Sequence, residues 1–110
     1  MTPTDIETGH KNAIISYITI FGVIIAFFLN NENKSEFAAF HIRQSLGLWL
    51  TFFALGYTVG IFDSWLVSSG FYLFFAVLFI YGFINAIGKK AQEVPLLGGL
   101  YQKLFSNLGK

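Results

Sequence analysis

Two histidines, His10 and His41, and one short string, Phe40-His41-Ile42-Arg43-Gln44-Ser45-Leu46, hold most of the side chains here that could do chemistry. An imidazole is the usual proton shuttle and metal ligand near neutral pH, but it needs partners. His41, Gln44 and Ser45 stand at i, i+3 and i+4, so a helix puts them on one face. Arg43 can reach lipid phosphates from a helix that enters a bilayer. The string therefore reads either as a polar boundary that sets helix depth or as a docking or gating cluster. Asn85 closes a long apolar run at the depth of Gln44 and Ser45. A membrane asparagine finds hydrogen-bond partners on other helices, so Asn85 is expected to clamp the Arg43–Gln44 region. Gly56-Tyr57-Thr58-Val59-Gly60 has G-x-x-x-G spacing, which lets backbones approach within one chain or between two copies. Thr51 and Thr58 share a helical face and are expected to bond their own backbone.

Reaction chemistry finds little else to stand on. The chain has no cysteine, which removes disulfides, thiolate nucleophiles and thiolate metal sites together. No acid lies within an apolar run, whereas proton-coupled transport generally uses an intramembrane carboxylate or histidine. G-x-S-x-G, P-loop and H-E-x-x-H patterns are lacking. The expectation is a non-enzyme with no cofactor and no metal. A net charge of +1 also gives no electrostatic footprint for nucleic acid.

The elements that must position these residues are apolar. The chain is 55% hydrophobic, 19% aromatic and 12% charged, against about a quarter charged in soluble domains. Ala13–Leu29, Leu46–Phe62 and Trp65–Gly88 contain no charge at all. About 20 apolar residues in a helix cross a bilayer core. The fold class expected is all-α: a single polytopic membrane domain over residues 1–110, with three transmembrane helices near 13–29, 46–62 and 65–88. The first run ends in Phe27-Phe28-Leu29-Asn30-Asn31 without a small-x-small cleavage site, so it reads as a retained span.

Met1–Asn12 reads as a short loose tail, and Asn30–Asn33 as the turn that ends the first span. Asn33 and Glu36 resemble a capping box. From Ser35 nothing breaks the helix until about Ile61, a length of about 40 Å. That exceeds the hydrocarbon core, so the second helix carries an N-terminal extension outside it, with Gly47 as a bend. The third run starts at about Trp65 or, where Ser68-Ser69-Gly70 interrupts it, at Phe71, and Trp65 and Tyr72 suit a membrane–water boundary. After Pro95, Leu96, Leu97, Leu100, Tyr101, Leu104, Phe105 and Leu108 form one helical face, with Lys103 away from it. This predicts an amphipathic interfacial helix over about 95–108, lying on lipid or packed on the ends of the spans.

With three spans, Lys11 alone stands on the N-terminal side. Lys34, Arg43, Lys89, Lys90, Lys103 and Lys110 stand on the other. Because Lys and Arg set orientation, the N-terminus is predicted outside and the C-terminus cytoplasmic. This topology also separates His10 from His41.

The Phe40–Leu46 string, the Ile84-Asn85-Ala86-Ile87-Gly88-Lys89 end of the third run and Val94-Pro95-Leu96-Leu97-Gly98 come in a recognisable order. The combination resembles the Tic-translocon-like family over roughly Ala13 to Phe105. These are small bacterial membrane proteins related to a membrane subunit of the chloroplast inner-envelope protein import complex. The chloroplast members have four spans. The resemblance implies an integral protein of a bacterial inner membrane and points to protein translocation; it carries over no catalytic residue. The reading that follows is an accessory or scaffold subunit of a larger membrane assembly. Its partners would be the lipid bilayer and other membrane subunits. The alternative is a small self-associating channel or transporter, a homo-oligomer.

Overall fold

The structure is a computed structural model that describes residues 1–106. The described residues form helices α1 (Pro3–Ile18), α2 (Ile20–Asn33), α3 (Glu36–Ile61), α4 (Trp65–Ile87) and α5 (Gly98–Leu104), with no strand among them. Leu108 and Lys110 lie outside the described residues.

The first apolar run does not form one helix. Thr19 takes an extended backbone (φ −151°, ψ 169°) that ends α1 and starts α2. Its Oγ1 accepts a hydrogen bond from Gly22 N–H at 3.1 Å, an N-cap that satisfies one orphan donor of α2. Gly22 then permits the reversal, because a Cβ there would stand 2.2 Å from the Ile15 carbonyl oxygen. The run is therefore a helical hairpin with arms of about 24 and 21 Å, and it replaces the first of the three expected spans. Two helices are long and apolar enough to cross a membrane, Glu36–Ile61 and Trp65–Ile87.

The N-terminal segment is ordered into α1, not loose. Thr2 caps it, accepting from Asp5 N–H at 3.1 Å, and Pro3 sits in its first turn. The Asp5 carboxylate in turn accepts from the Glu36 and Phe37 N–H groups at 2.8 and 2.9 Å. It thus satisfies the start of α3, where the helix dipole favours an anion.

The α2–α3 corner falls later than Asn30–Asn33. The Asn30 side chain bonds both backbone groups of Ser35, accepting at 3.0 Å and donating at 3.1 Å. With Asn30 facing inward, α2 continues to Asn33 and the chain turns at Lys34 in the left-handed region (φ 50°). Ser35, rather than Asn33, caps α3, its Oγ accepting from Ala38 N–H.

α3 and α4 form an antiparallel pair joined by a tight turn with Asp63 at φ 46°. Aromatic rings fill their contact. Phe52 stacks on Phe71 at 5.5 Å, Phe52 meets Phe75 edge-on at 5.7 Å, and Trp49 lies 4.6 Å from Phe79. Outward faces of the same helices carry exposed Phe53, Leu55, Ile61, Leu66, Leu73 and Val77, and Trp65 is 83% exposed.

The C-terminal helix is shorter than the expected 95–108, because Pro95–Leu97 forms a turn before it. It packs against α3, the protein contact that was one of the two expected placements. A Cβ on Gly47 would lie 2.3 Å from the Tyr101 ring, so Gly47 serves a close approach within a continuous helix and not a bend.

These contacts set the ends of the molecule, which measures 47 × 22 × 22 Å. Asp5 meets the start of α3, and His10 Nε2 donates to the Ile87 carbonyl at 2.9 Å. The N-terminal segment, the α2–α3 corner and the end of α4 therefore share one end, and Asp63 marks the other. The expected arrangement, N-terminus outside and C-terminus cytoplasmic, required opposite ends. A hairpin returns the chain to its starting end, so that separation is not built.

Candidate functional site

α1 buries Gly9, Asn12, Ala13, Ser16 and Tyr17, a face at helical spacing. Tyr17 is the residue that this face delivers to the centre. Its ring covers Gly82 of α4, where a Cβ would stand 2.6 Å away. From α3, the register of Phe37, His41, Gln44 and Leu48 turns two polar side chains to the same point, and both are fully buried.

The result is a chain of hydrogen bonds. Gln44 Nε2 donates to the Tyr17 hydroxyl at 2.7 Å. That hydroxyl donates to His41 Nδ1 at 2.7 Å, and His41 Nε2 donates to the Lys90 carbonyl at 2.8 Å. Val94 N–H donates to Gln44 Oε1 at 2.8 Å. The carbonyl acceptor fixes the proton of His41 on Nε2 and leaves Nδ1 as the acceptor for Tyr17. Phe37, Phe40 and Tyr17 surround the imidazole edge-on, with centroids at 4.8, 5.2 and 5.5 Å.

The geometry depends on how α4 ends. Gly88 caps it and Lys89 adopts a left-handed conformation (φ 61°). Lys90 N–H then donates back to the Asn85 carbonyl at 2.8 Å, and the Lys90 carbonyl is left for His41. Asn85 is buried, but Gln44 takes Tyr17 and Val94 as partners, not Asn85. Arg43 Nη1 donates to Gln102 Oε1 at 3.5 Å, and Gln102 Nε2 donates to the Phe40 carbonyl at 2.9 Å. Tyr101 OH donates to Thr51 Oγ1 at 2.8 Å, so Thr51 serves α5, while Thr58 bonds its own helix through Ala54 O.

The remaining expected site residues divide. Tyr101 is buried and Leu97 and Phe105 pack on the core; Leu100, Lys103 and Leu104 are exposed. A Cβ on Gly56 would meet only the Phe71 ring at 3.6 Å, and one on Gly60 would meet nothing within 4 Å. Neither glycine sits at a close helix–helix approach in this chain. His10 and His41 stand at the same end, bonded to the carbonyls of Ile87 and Lys90. Among the described residues no three His, Asp or Glu side chains converge on a metal position. At the surface of this end, Lys89 pairs with Glu7 and holds its carboxyl below the usual range, chiefly by the hydrogen bond and then by charge.

Sequence reasoning missed Tyr17 and Asp5 as organising residues. The available signals were a tyrosine inside an apolar run, on a face of small residues, and an aspartate in a capped first turn. No family model, curated protein or solved structure matches this chain.

Proposed function

We propose that this protein is a non-enzymatic scaffold or accessory subunit of a larger assembly in a bacterial inner membrane. In this reading α3 and α4 cross the bilayer, and α1–α2 enters from the cytoplasmic side and returns. The N-terminus, Lys34, Arg43, Lys89, Lys90 and Lys103 then face the cytoplasm, as the distribution of Lys and Arg favours. The observation that carries the scaffold reading is the closed network. The Tyr17 hydroxyl, both nitrogens of His41, and the amide nitrogen and oxygen of Gln44 all bond inside the protein. Such a network holds α1, α3 and the 90–94 segment in one arrangement and leaves its histidine engaged, which suits a rigid platform better than a proton-transfer site. Aromatic packing between α3 and α4 also supports a platform over a pore through a single chain. The resemblance of the Phe40–Leu46 and Ile84–Gly98 strings points the assembly toward protein translocation.

The experiment is affinity purification of the full chain from membranes in mild detergent, with identification of companions by mass spectrometry. Stoichiometric membrane proteins are expected. A monodisperse single species, with ion flux from liposomes holding only this chain, would instead favour the channel.

A further inference from the structure

The two halves of this molecule differ in cross-section. Every hairpin contact described above falls in one half of α3 and α4. Asp5 meets Glu36 and Phe37, Tyr17 meets His41 and Gln44, and Val23 and Ala26 pack with Ala38 and Ile42. The turn of the hairpin reaches only to Leu46 and Trp49 of α3 and to Phe79–Phe83 of α4. α5 starts in that half and runs past the middle of α3, with Tyr101 on Gly47 and Thr51 and with Leu104 and Phe105 reaching Leu50–Leu55. Beyond Leu55, α3 and α4 are the only described helices that continue to the Asp63 turn, their pairing held by Phe52 with Phe71 and Tyr72. The hairpin leaves about 18 Å of α3 uncovered after Trp49, of which α5 leaves about 9 Å after Leu55. Among the described residues, α1 and α2 thus add to the basic half alone, α5 runs from that half to Leu55, and only α3 and α4 reach the Asp63 end.

We propose that the chain is a wedge in the membrane, favouring bilayers that are convex on its basic side. The proposal rests on the reading that α3 and α4 span. An inclusion that displaces more lipid in one leaflet expands that leaflet, and its free energy falls where curvature has already expanded it. Shallow insertions into one leaflet are curvature-sensitive for this reason. The device is built in by Thr19, Gly22 and Asp5, which fold an apolar run into a half-depth hairpin and fasten it to α3.

Between Gln44 and Gly88 the sequence has no Lys or Arg. External trypsin therefore cuts only those copies whose basic end faces outward. The test reconstitutes the full chain in neutral phosphatidylcholine, so that lipid charge does not set sidedness. The same bilayers are made into large extruded or small sonicated vesicles, and the trypsin-cleaved fraction is measured in each. The ratio of cleaved to protected chain is expected to rise about twofold or more in the small vesicles. Chain that stays in floated vesicles through an alkaline wash, with sidedness independent of diameter, sinks the wedge and leaves the membrane reading standing. Release by the alkaline wash sinks the membrane reading and the wedge with it.

Discussion

One hydroxyl group, that of Tyr17, connects α1 to His41 and Gln44 of α3, and through His41 to the Lys90 carbonyl. Tyr17→Phe keeps the ring over Gly82 but leaves a buried imidazole nitrogen and a buried amide without their partner. The expected loss is about 1–3 kcal/mol, read as a lower thermal midpoint in detergent. Asn12 supplies the contrast. Its Nδ2 is buried with no partner, so Asn12→Leu, of similar shape, is expected to be neutral or stabilising in the same assay. The Glu7–Lys89 pair gives a pH signature of known sign. The Glu7 carboxyl is depressed, so the pair contributes above the ordinary carboxylate range and is lost as pH falls through the depressed value. Both groups are exposed, so the effect is small and screened. The difference in melting between native protein and Glu7→Gln should be present at neutral pH and vanish in acid or in high salt.

Helices here are bounded by single side chains that the flanking apolar pattern does not mark. Ala13–Leu29 is uninterrupted by charge or proline, so hydropathy alone reads one span. What divides it is Thr19, a cap with Gly22 three residues on, and the gain is a buried face of Gly9, Ala13 and Ser16 against α3 and α4. A Cβ at Gly22 meets backbone, which cannot move aside as a side chain can. Gly22→Ala is therefore expected to destabilise the hairpin by about 1–3 kcal/mol, with faster proteolysis at Lys11 and Lys34. Gly47→Ala differs in kind, because the atom it meets belongs to the Tyr101 ring. That substitution should release α5, seen as selective cleavage at Lys103, while the rest of the chain stays folded. By contrast, α3 from Ser35 to about Ile61 was legible, and of the two starts the sequence allowed for α4, Trp65 and Phe71, the structure takes Trp65. Their caps, Ser35 and Ser64, stand at the edges of the runs they begin.

At the scale of the molecule, the hairpin decides which parts lie together. Lys11, Lys34 and Lys89 belong to one end and Asp63 to the other. Because the chain lacks cysteine, Thr2→Cys, Glu93→Cys and Asp63→Cys can each be labelled with an impermeant maleimide. In spheroplasts only Asp63→Cys should react before permeabilisation; external labelling of Thr2→Cys would contradict a hairpin that returns to the cytoplasmic face. The sequence by itself determined that this chain is helical and largely apolar, where α3 and α4 run, and that polar groups collect near His41 and Gln44. Those follow from local composition and periodicity. Only the tertiary structure decided that the first run turns back, that Tyr17 rather than Asn85 engages Gln44, and that α5 docks on Gly47. Each of these depends on a contact between residues far apart in the chain, where a missing Cβ or a shared hydrogen bond selects one packing among several that the same hydropathy allows.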